Sequence, residues 1–200
     1  PIFVKVRAAK AGDRIGILAE WDDATNDSAV DNEQSFADGA AMQFALTEQM
    51  PFIAMGDRTA QGLCEIWHWR ADRQLAADKG RAATRADAYP HVFADSYPVL
   101  PDYSAARDAG NILTDPKSGD RPAHSLNASG LGTLTARADA ERRVDSRGQW
   151  KQGVYRVVFS SMLKPSDPRR EADFTKAKIP VAFAVWDGHN GDRNGTKLVS

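Results

Sequence analysis

The sequence predicts an all-β fold, an antiparallel β-sandwich with little helix, and three observations carry that expectation. Apolar or alternating runs of strand length recur along the chain, Gly, Asp, Asn and Pro separate them, and the 3.6-residue periodicity of amphipathic helices is scarce. VKVRA at 4–8 and RIGILAEW at 14–21 are the first two runs, AAMQFAL at 40–46 and FIAM at 52–55 the next, and LCEIWHW at 63–69 the fifth. GTLTARA at 132–138, GVYRVVFSSML at 153–163 and IPVAFAVW at 179–186 bring the series to about eight, the number expected of a sandwich or barrel. In the run from Val154, the alternation places Tyr155, Val157, Phe159 and Ser161 on one face and Val154, Arg156, Val158 and Ser160 on the other, which describes a half-buried antiparallel strand. DGHNGDRNG at 187–195 is turn chemistry between two strands, and a last strand is expected to start near Thr196.

Residues 71–130 have a different texture. ADRQLAADKGRAATRADA can make a short helix, after which Pro90, Pro98, Pro101, Pro116 and Pro122 punctuate an irregular stretch. A long insertion within a compact domain is expected to face a partner, and residues 1–200 as a whole are read as a single domain.

Composition narrows the function classes. With 26 basic and 27 acidic residues interspersed, the formal net charge is -1, so neither nucleic acid nor an anionic membrane surface finds a cationic footprint. No apolar run approaches the roughly 20 residues of a spanning helix. The start at Pro1 rather than Met is read as a processed one, consistent with export. Cys64 is the single cysteine, so this chain can form no internal disulfide and house no thiolate cluster. It also lacks C-x-x-C-H, so a haem here is held by axial ligands and packing alone, as haem b is.

Hydrolytic chemistry finds little support. There is no G-x-S-x-G elbow, Cys64 sits in an expected strand, and His68, His91, His124 and His189 have no metal-site spacing. Asp22, Asp23, Asp27 and Asp31 lack the Gly and terminal Glu of a calcium loop and are read as a solvated loop. Met55 stands out in MPFIAMGD, where a thioether follows an apolar run and precedes a turn; a strand methionine is ordinarily core filler, and a soft ligand for iron is the sharper reading. Lys176 and Lys178 share the parity of Ala182, Ala184 and Trp186, so an amine there is either snorkelling outward or held neutral on a metal. Trp67 and Trp69 fall on one face of their strand with His68 on the other, which core packing explains.

These segments carry a resemblance. The opening strand ending in Trp21-Asp22-Asp23, PFIAMGD at 51–57, IWHWRAD at 66–72, the run from Gly148-Gln149-Trp150 to Phe159, and Pro-Val-Ala-Phe-Ala-Val-Trp-Asp-Gly from Pro180 resemble the haem-binding gamma subunits of the ethylbenzene, dimethylsulfide and steroid C25 dehydrogenases and of the chlorate and selenate reductases. The resemblance covers most of the chain. It implies one haem b held between a methionine, which maps to Met55 with Met42 or Met50 as substitutes, and a lysine, which maps to Lys178 with Lys176 as the alternative. It further implies a non-catalytic, periplasmic electron-transfer subunit. Its partners are a molybdenum-containing alpha subunit, an iron-sulfur beta subunit and a soluble cytochrome, with the molybdenum cofactor and clusters confined to those partners. A bound lysine must be neutral, which burial favours, and two strong axial ligands leave the metal no open position for substrate. The rival expectation from another class is a carbohydrate-binding or adhesion sandwich that stacks sugar on Trp67, Trp69, Trp150 and Trp186.

Overall fold

The computed structural model describes residues 3–29, 34–48, 62–80, 121–130, 132–137 and 143–200. The described residues form two open antiparallel sheets that pack as an all-β sandwich. The first holds β1 (Val4–Ala11), β2 (Arg14–Asp22), β8 (Val154–Met162) and β7 (Asp145–Lys151), in that spatial order. The second runs β10 (Leu198–Val199), β9 (Val181–Trp186), β3 (Gly39–Ala45), β4 (Cys64–Arg70), β5 (Ala123–Ala128) and β6 (Thr135–Ala136). One helix, α1 (Ala71–Lys79), follows β4 directly.

Alternation decides the interior. On β2, Ile15, Ile17, Ala19 and Trp21 are buried, and on β8 the expected face of Tyr155, Val157, Phe159 and Ser161 points inward. The second sheet answers with Met42 and Phe44 from β3 and Trp67 and Trp69 from β4. Trp21 stacks on Tyr155 with ring centroids 5.0 Å apart, and Phe44 meets Trp67 edge-on at 4.7 Å. The hairpin β7–β8 pairs Lys151 with Val154 around Gln152 and Gly153, both at positive φ, as a two-residue turn matched to strand twist requires.

Residues 71–130 contribute structure at both ends. Helix α1 ends where Gly80, at φ 69°, turns its N–H back to the carbonyls of Ala76 and Ala77. Its Gln74 amide oxygen accepts from Trp69 Nε1 at 3.3 Å and from the Gly148 backbone N–H at 2.8 Å, fastening helix to both sheets. Gly148 has no room for more, since a Cβ there would lie 2.2 Å from Trp69 Cζ2. At the other end, AHSLNA forms β5, a strand buried on both faces that the irregular reading of this stretch missed. Sequence reading also missed β7, whose DSRGQWK carries no apolar alternation; it forms because β8 offers it a pairing edge. The expected strand at 52–55 lies outside the described residues. No helix among the described residues is long and apolar enough to cross a membrane.

A cavity on the outer face of the six-stranded sheet

The face of β3 and β4 that turns away from the sandwich interior carries small and polar side chains where the inner face carries large ones. Strand register arranges them in three transverse rows. In the first, Gly39 pairs with Trp186 on one side and Arg70 on the other. Lys197 continues this row, one residue before the Leu198–Val185 pair and therefore opposite Trp186. The second row runs Val199, Ala184, Ala41, His68 and His124, and the third Ala182, Gln43, Ile66 and Leu126. Four of these floor positions, Gly39, Ala41, Ala182 and Ala184, are too small to fill the space above them. The result is a cavity of about 520 Å³, walled at one end by Phe36 and the turn bearing Arg193. That size suits a cofactor, within the roughly 300–1,000 Å³ usual for ligand sites.

Two nitrogen donors face this space. The Lys197 ammonium position lies 5.6 Å from the Trp186 ring centroid, and burial lowers its pKa, moving the amine toward the neutral form that can bind a metal. His68 packs against the other side of the same indole, ring centroids 4.9 Å apart. Its imidazole, although partly exposed, is pushed down to about 3, first by burial and then by the positive charges of Arg73 and Arg70. It is neutral through the physiological range. Gln43, 7% exposed, adds an amide Nε2 with no hydrogen-bond partner among the described residues. A buried donor left unmatched is costly, and here it borders a space that an occupant can fill.

The cavity fits the haem that the sequence resemblance implies in its lysine amine, its aromatic wall and a floor of Gly and Ala on which a flat macrocycle can lie, while the methionine of that resemblance lies outside the described residues. The Gly39 position is a cradle in the literal sense, since a Cβ there would sit 3.3 Å from the Trp69 carbonyl oxygen and 3.5 Å from Trp186 Cε3.

The sequence-predicted ligands distribute unevenly around this site. Met55 and its substitute Met50 lie outside the described residues, as does His91. Met42, the other substitute, is 1% exposed and points into the sandwich core, on the opposite face of β3 from the cavity. Lys176 and Lys178 are exposed on the segment before β9, and neither lines the cavity. Ala182, Ala184 and Trp186, with which parity grouped them, do line the cavity. Strand β9 starts only at Val181, so strand parity does not extend back to the two lysines. Lys197, which lines the cavity and follows the long turn, was not among the sequence candidates. Extending the β9–β10 hairpin register by one residue from Leu198 would have placed it beside Trp186.

The remaining candidates are accounted for structurally. Cys64 is fully buried, its thiol donates to the Ala128 carbonyl, and burial pushes it up to about 11, so it is no nucleophile. His189 is exposed in the β9–β10 turn. Asp23, expected in a solvated loop, is instead 8% exposed, and its carboxylate lies close to those of Asp38 and Asp187. Asp38 is fully employed there, accepting from the Asp27 and Gly188 backbone N–H groups and the Tyr155 hydroxyl, which is a structural role. The four tryptophans of the sugar-platform reading share no surface. Trp67 and Trp69 are inside the sandwich, Trp150 packs on its core, and Trp186 is on the far face.

Comparison with known proteins agrees with the resemblance read from sequence. The chain is 26% identical to the dimethylsulfide dehydrogenase gamma subunit of Rhodovulum sulfidophilum over 98% of its own length and 56% of that protein's. It is 24% identical to the chlorate reductase gamma subunit of Ideonella dechloratans, over 97% of this chain and 60% of that one. A putative respiratory nitrate reductase heme subunit of Haloferax mediterranei is likewise 24% identical, over 98% of this chain and 53% of that one. The chain thus spans between half and two thirds of the length of these relatives. A profile of the ethylbenzene dehydrogenase family matches residues 2–198, and the chain belongs to that family.

Proposed function

We propose that this chain is the haem b-carrying, electron-transfer part of a gamma-type subunit in a periplasmic molybdenum oxidoreductase, and that the haem occupies the cavity on the outer face of the six-stranded sheet. The observation that carries the proposal is the placing of the Lys197 amine on the wall of a cavity of about 520 Å³ that has a floor of Gly and Ala. Support also comes from the printed names of the relatives, which are gamma subunits of two oxidoreductases and a heme subunit of a third.

The haem would supply a one-electron store. Met55 supplies a thioether, as the family resemblance implies. Of the lysines considered, Lys197 is the one on the cavity wall, and it takes the role first assigned to Lys178 or Lys176. The amine lies 5.6 Å from the Trp186 ring centroid, and burial lowers its pKa. Electrons would pass between an iron-sulfur subunit and a soluble cytochrome, the molybdenum cofactor being held by a third subunit.

The test is an optical and near-infrared magnetic circular dichroism comparison of the purified protein with its Met55→Ala, Lys197→Ala, Lys178→Ala, Lys176→Ala and His68→Ala variants. The expected result is a Soret band with sharp α and β bands on reduction, a changed iron ligation for Met55→Ala and Lys197→Ala, and unchanged spectra for Lys178→Ala and Lys176→Ala. Loss of the amine signature on Lys178→Ala with Lys197→Ala silent returns the ligand to the segment before β9. A changed ligation on His68→Ala alone makes the imidazole the nitrogen ligand. No visible absorbance in the haem-supplemented protein sinks the haem reading altogether.

A further inference from the structure

We propose, resting on the haem reading above, that the cavity fixes the orientation of its macrocycle by binding the carboxylate edge at Arg70 and Arg193 and the alkyl edge at the opposite end. The cavity is polarised along β3. Its three outward positions there, Gly39, Ala41 and Gln43, are two residues apart, so the floor extends about 14 Å from the first row to the third. At the Gly39 end the neighbours are cationic. Arg70 comes from the end of β4, and the turn between β9 and β10 brings Arg193 over the same end, its guanidinium 4.5 Å from the Phe36 ring centroid. At the Gln43 end the neighbours are Ala182, Ile66 and Leu126, all buried.

Both guanidiniums have donors to spare. Arg70 is oriented by Asp72, to which it gives Nε–H at 2.9 Å and one NH2 proton at 2.7 Å, leaving three of its five N–H groups without a hydrogen bond among the described residues. Arg193 gives one to the Gly191 carbonyl at 3.1 Å. The carboxylates nearby are Asp72 and Asp192, the latter accepting from the Asp187 backbone N–H, together with Asp38 and Asp187 next to Gly39 and Trp186, which accept from the Asp27 and Gly188 N–H groups and the Tyr155 hydroxyl and from Asn190 respectively. Arg73, on the helix beside Arg70, tips the local balance to positive; the His68 pKa is lowered first by burial and then by the charges of Arg73 and Arg70.

Iron protoporphyrin has two propionates on one edge and only methyl, vinyl and methine groups around the rest of its perimeter. Two solvent-touching guanidiniums suit a dicarboxylate, giving charge-assisted and bidentate bonds without fully dehydrating it. The competing pole is Gln43, whose Nε2, without a partner among the described residues, is also able to donate to a carboxylate. A carboxylate there would be enclosed with one neutral donor, which does not offset the loss of its water. Lys197, the remaining cation of the first row, is left to the iron.

The test uses the full protein freed of haem, with uptake followed at the Soret band for iron protoporphyrin IX and for its dimethyl ester, which lacks the charges. Wild type is expected to bind the diacid at least about tenfold more tightly than the diester. Arg193→Met, an exposed turn substitution with little bearing on folding, is expected to remove roughly tenfold of diacid affinity and none of diester affinity; Arg70→Met/Arg193→Met is expected to abolish the discrimination. Gln43→Leu is expected to leave the discrimination in place. Equal binding of diacid and diester by wild type overturns the proposal, as does discrimination that survives the double substitution or disappears with Gln43→Leu. If wild type takes up neither porphyrin, it is the haem reading that fails, a result distinct from all of these.

Discussion

The two faces of the six-stranded sheet are made by the same strands and serve opposite ends. Inward, β3 and β4 present Met42, Phe44, Trp67 and Trp69, all at most 2% exposed and packed against the first sheet. Outward, the intervening positions are Gly39, Ala41, Gln43, Ile66, His68 and Arg70, and they bound a cavity. Close packing on one face fixes the backbone, and that rigidity lets the other face hold a space open and aim donors into it, as a preorganised site requires. A sheet whose strands were large on both faces would have no room for a ligand; one small on both would have no core.

The largest expected effect lies inside. Trp67→Ala removes a fully buried indole in contact with Phe44 and Phe174 and is expected to cost about 4 kcal/mol in chemical denaturation, because the surrounding side chains collapse only in part. Next is the buried polar cluster at one end of the same interior face. Glu65, wholly enclosed, accepts from Trp67 Nε1, Ser125 Oγ, the Ala172 N–H and Arg143, whose charge is the strongest influence opposing the rise that burial imposes on its pKa. Arg143→Met leaves that carboxylate without its counter-charge, and a loss of about 3 kcal/mol is expected. A variant as stable as wild type would show that the cluster is held by its neutral hydrogen bonds alone.

On the outer face the expected effects on stability at neutral pH are smaller, and they differ in kind. His68 is neutral in the folded chain down to about pH 3, whereas in the unfolded chain it takes up a proton near pH 6.5. Between those values the unfolded state binds more protons, so this group makes stability rise with pH, by at most about 1.4 kcal/mol per pH unit, and the contribution is complete above pH 6.5. His68→Leu is expected to flatten the acid limb of the stability profile relative to wild type; parallel profiles would mean that the imidazole titrates normally. The smallest effect on folding belongs to Ala184→Phe, which fills the cavity rather than the core and is expected to change stability by less than about 1 kcal/mol while abolishing haem uptake. If it unfolds the chain instead, the outer face is as tightly packed as the inner, and the contrast between them collapses.

Much of this was legible in the sequence. Alternation in β2 and β8, the inward pair Trp67 and Trp69 with His68 opposed, and the turn at 187–195 all follow from the two-residue period of a strand, a local property of the chain. The family was legible too, from motifs spread over most of the chain. Strands without such a pattern were not. β5 is buried on both faces and β7 is polar, so neither alternates, and each exists because a neighbouring strand offers its edge.

The amino-acid sequence by itself determined the all-β class, the face on which each side chain of the patterned strands lies, and the ethylbenzene dehydrogenase family. Only the tertiary structure decided which lysine borders the cavity. Parity counts positions along one strand and correctly assigns Ala182, Ala184 and Trp186 to the outer face, but it stops where the strand stops, at Pro180, and so says nothing reliable about Lys178. Lys197 reaches the same cavity from the residue just before β10, eleven residues beyond Trp186, through a hairpin whose register is set by cross-strand hydrogen bonds and not by any pattern within either segment.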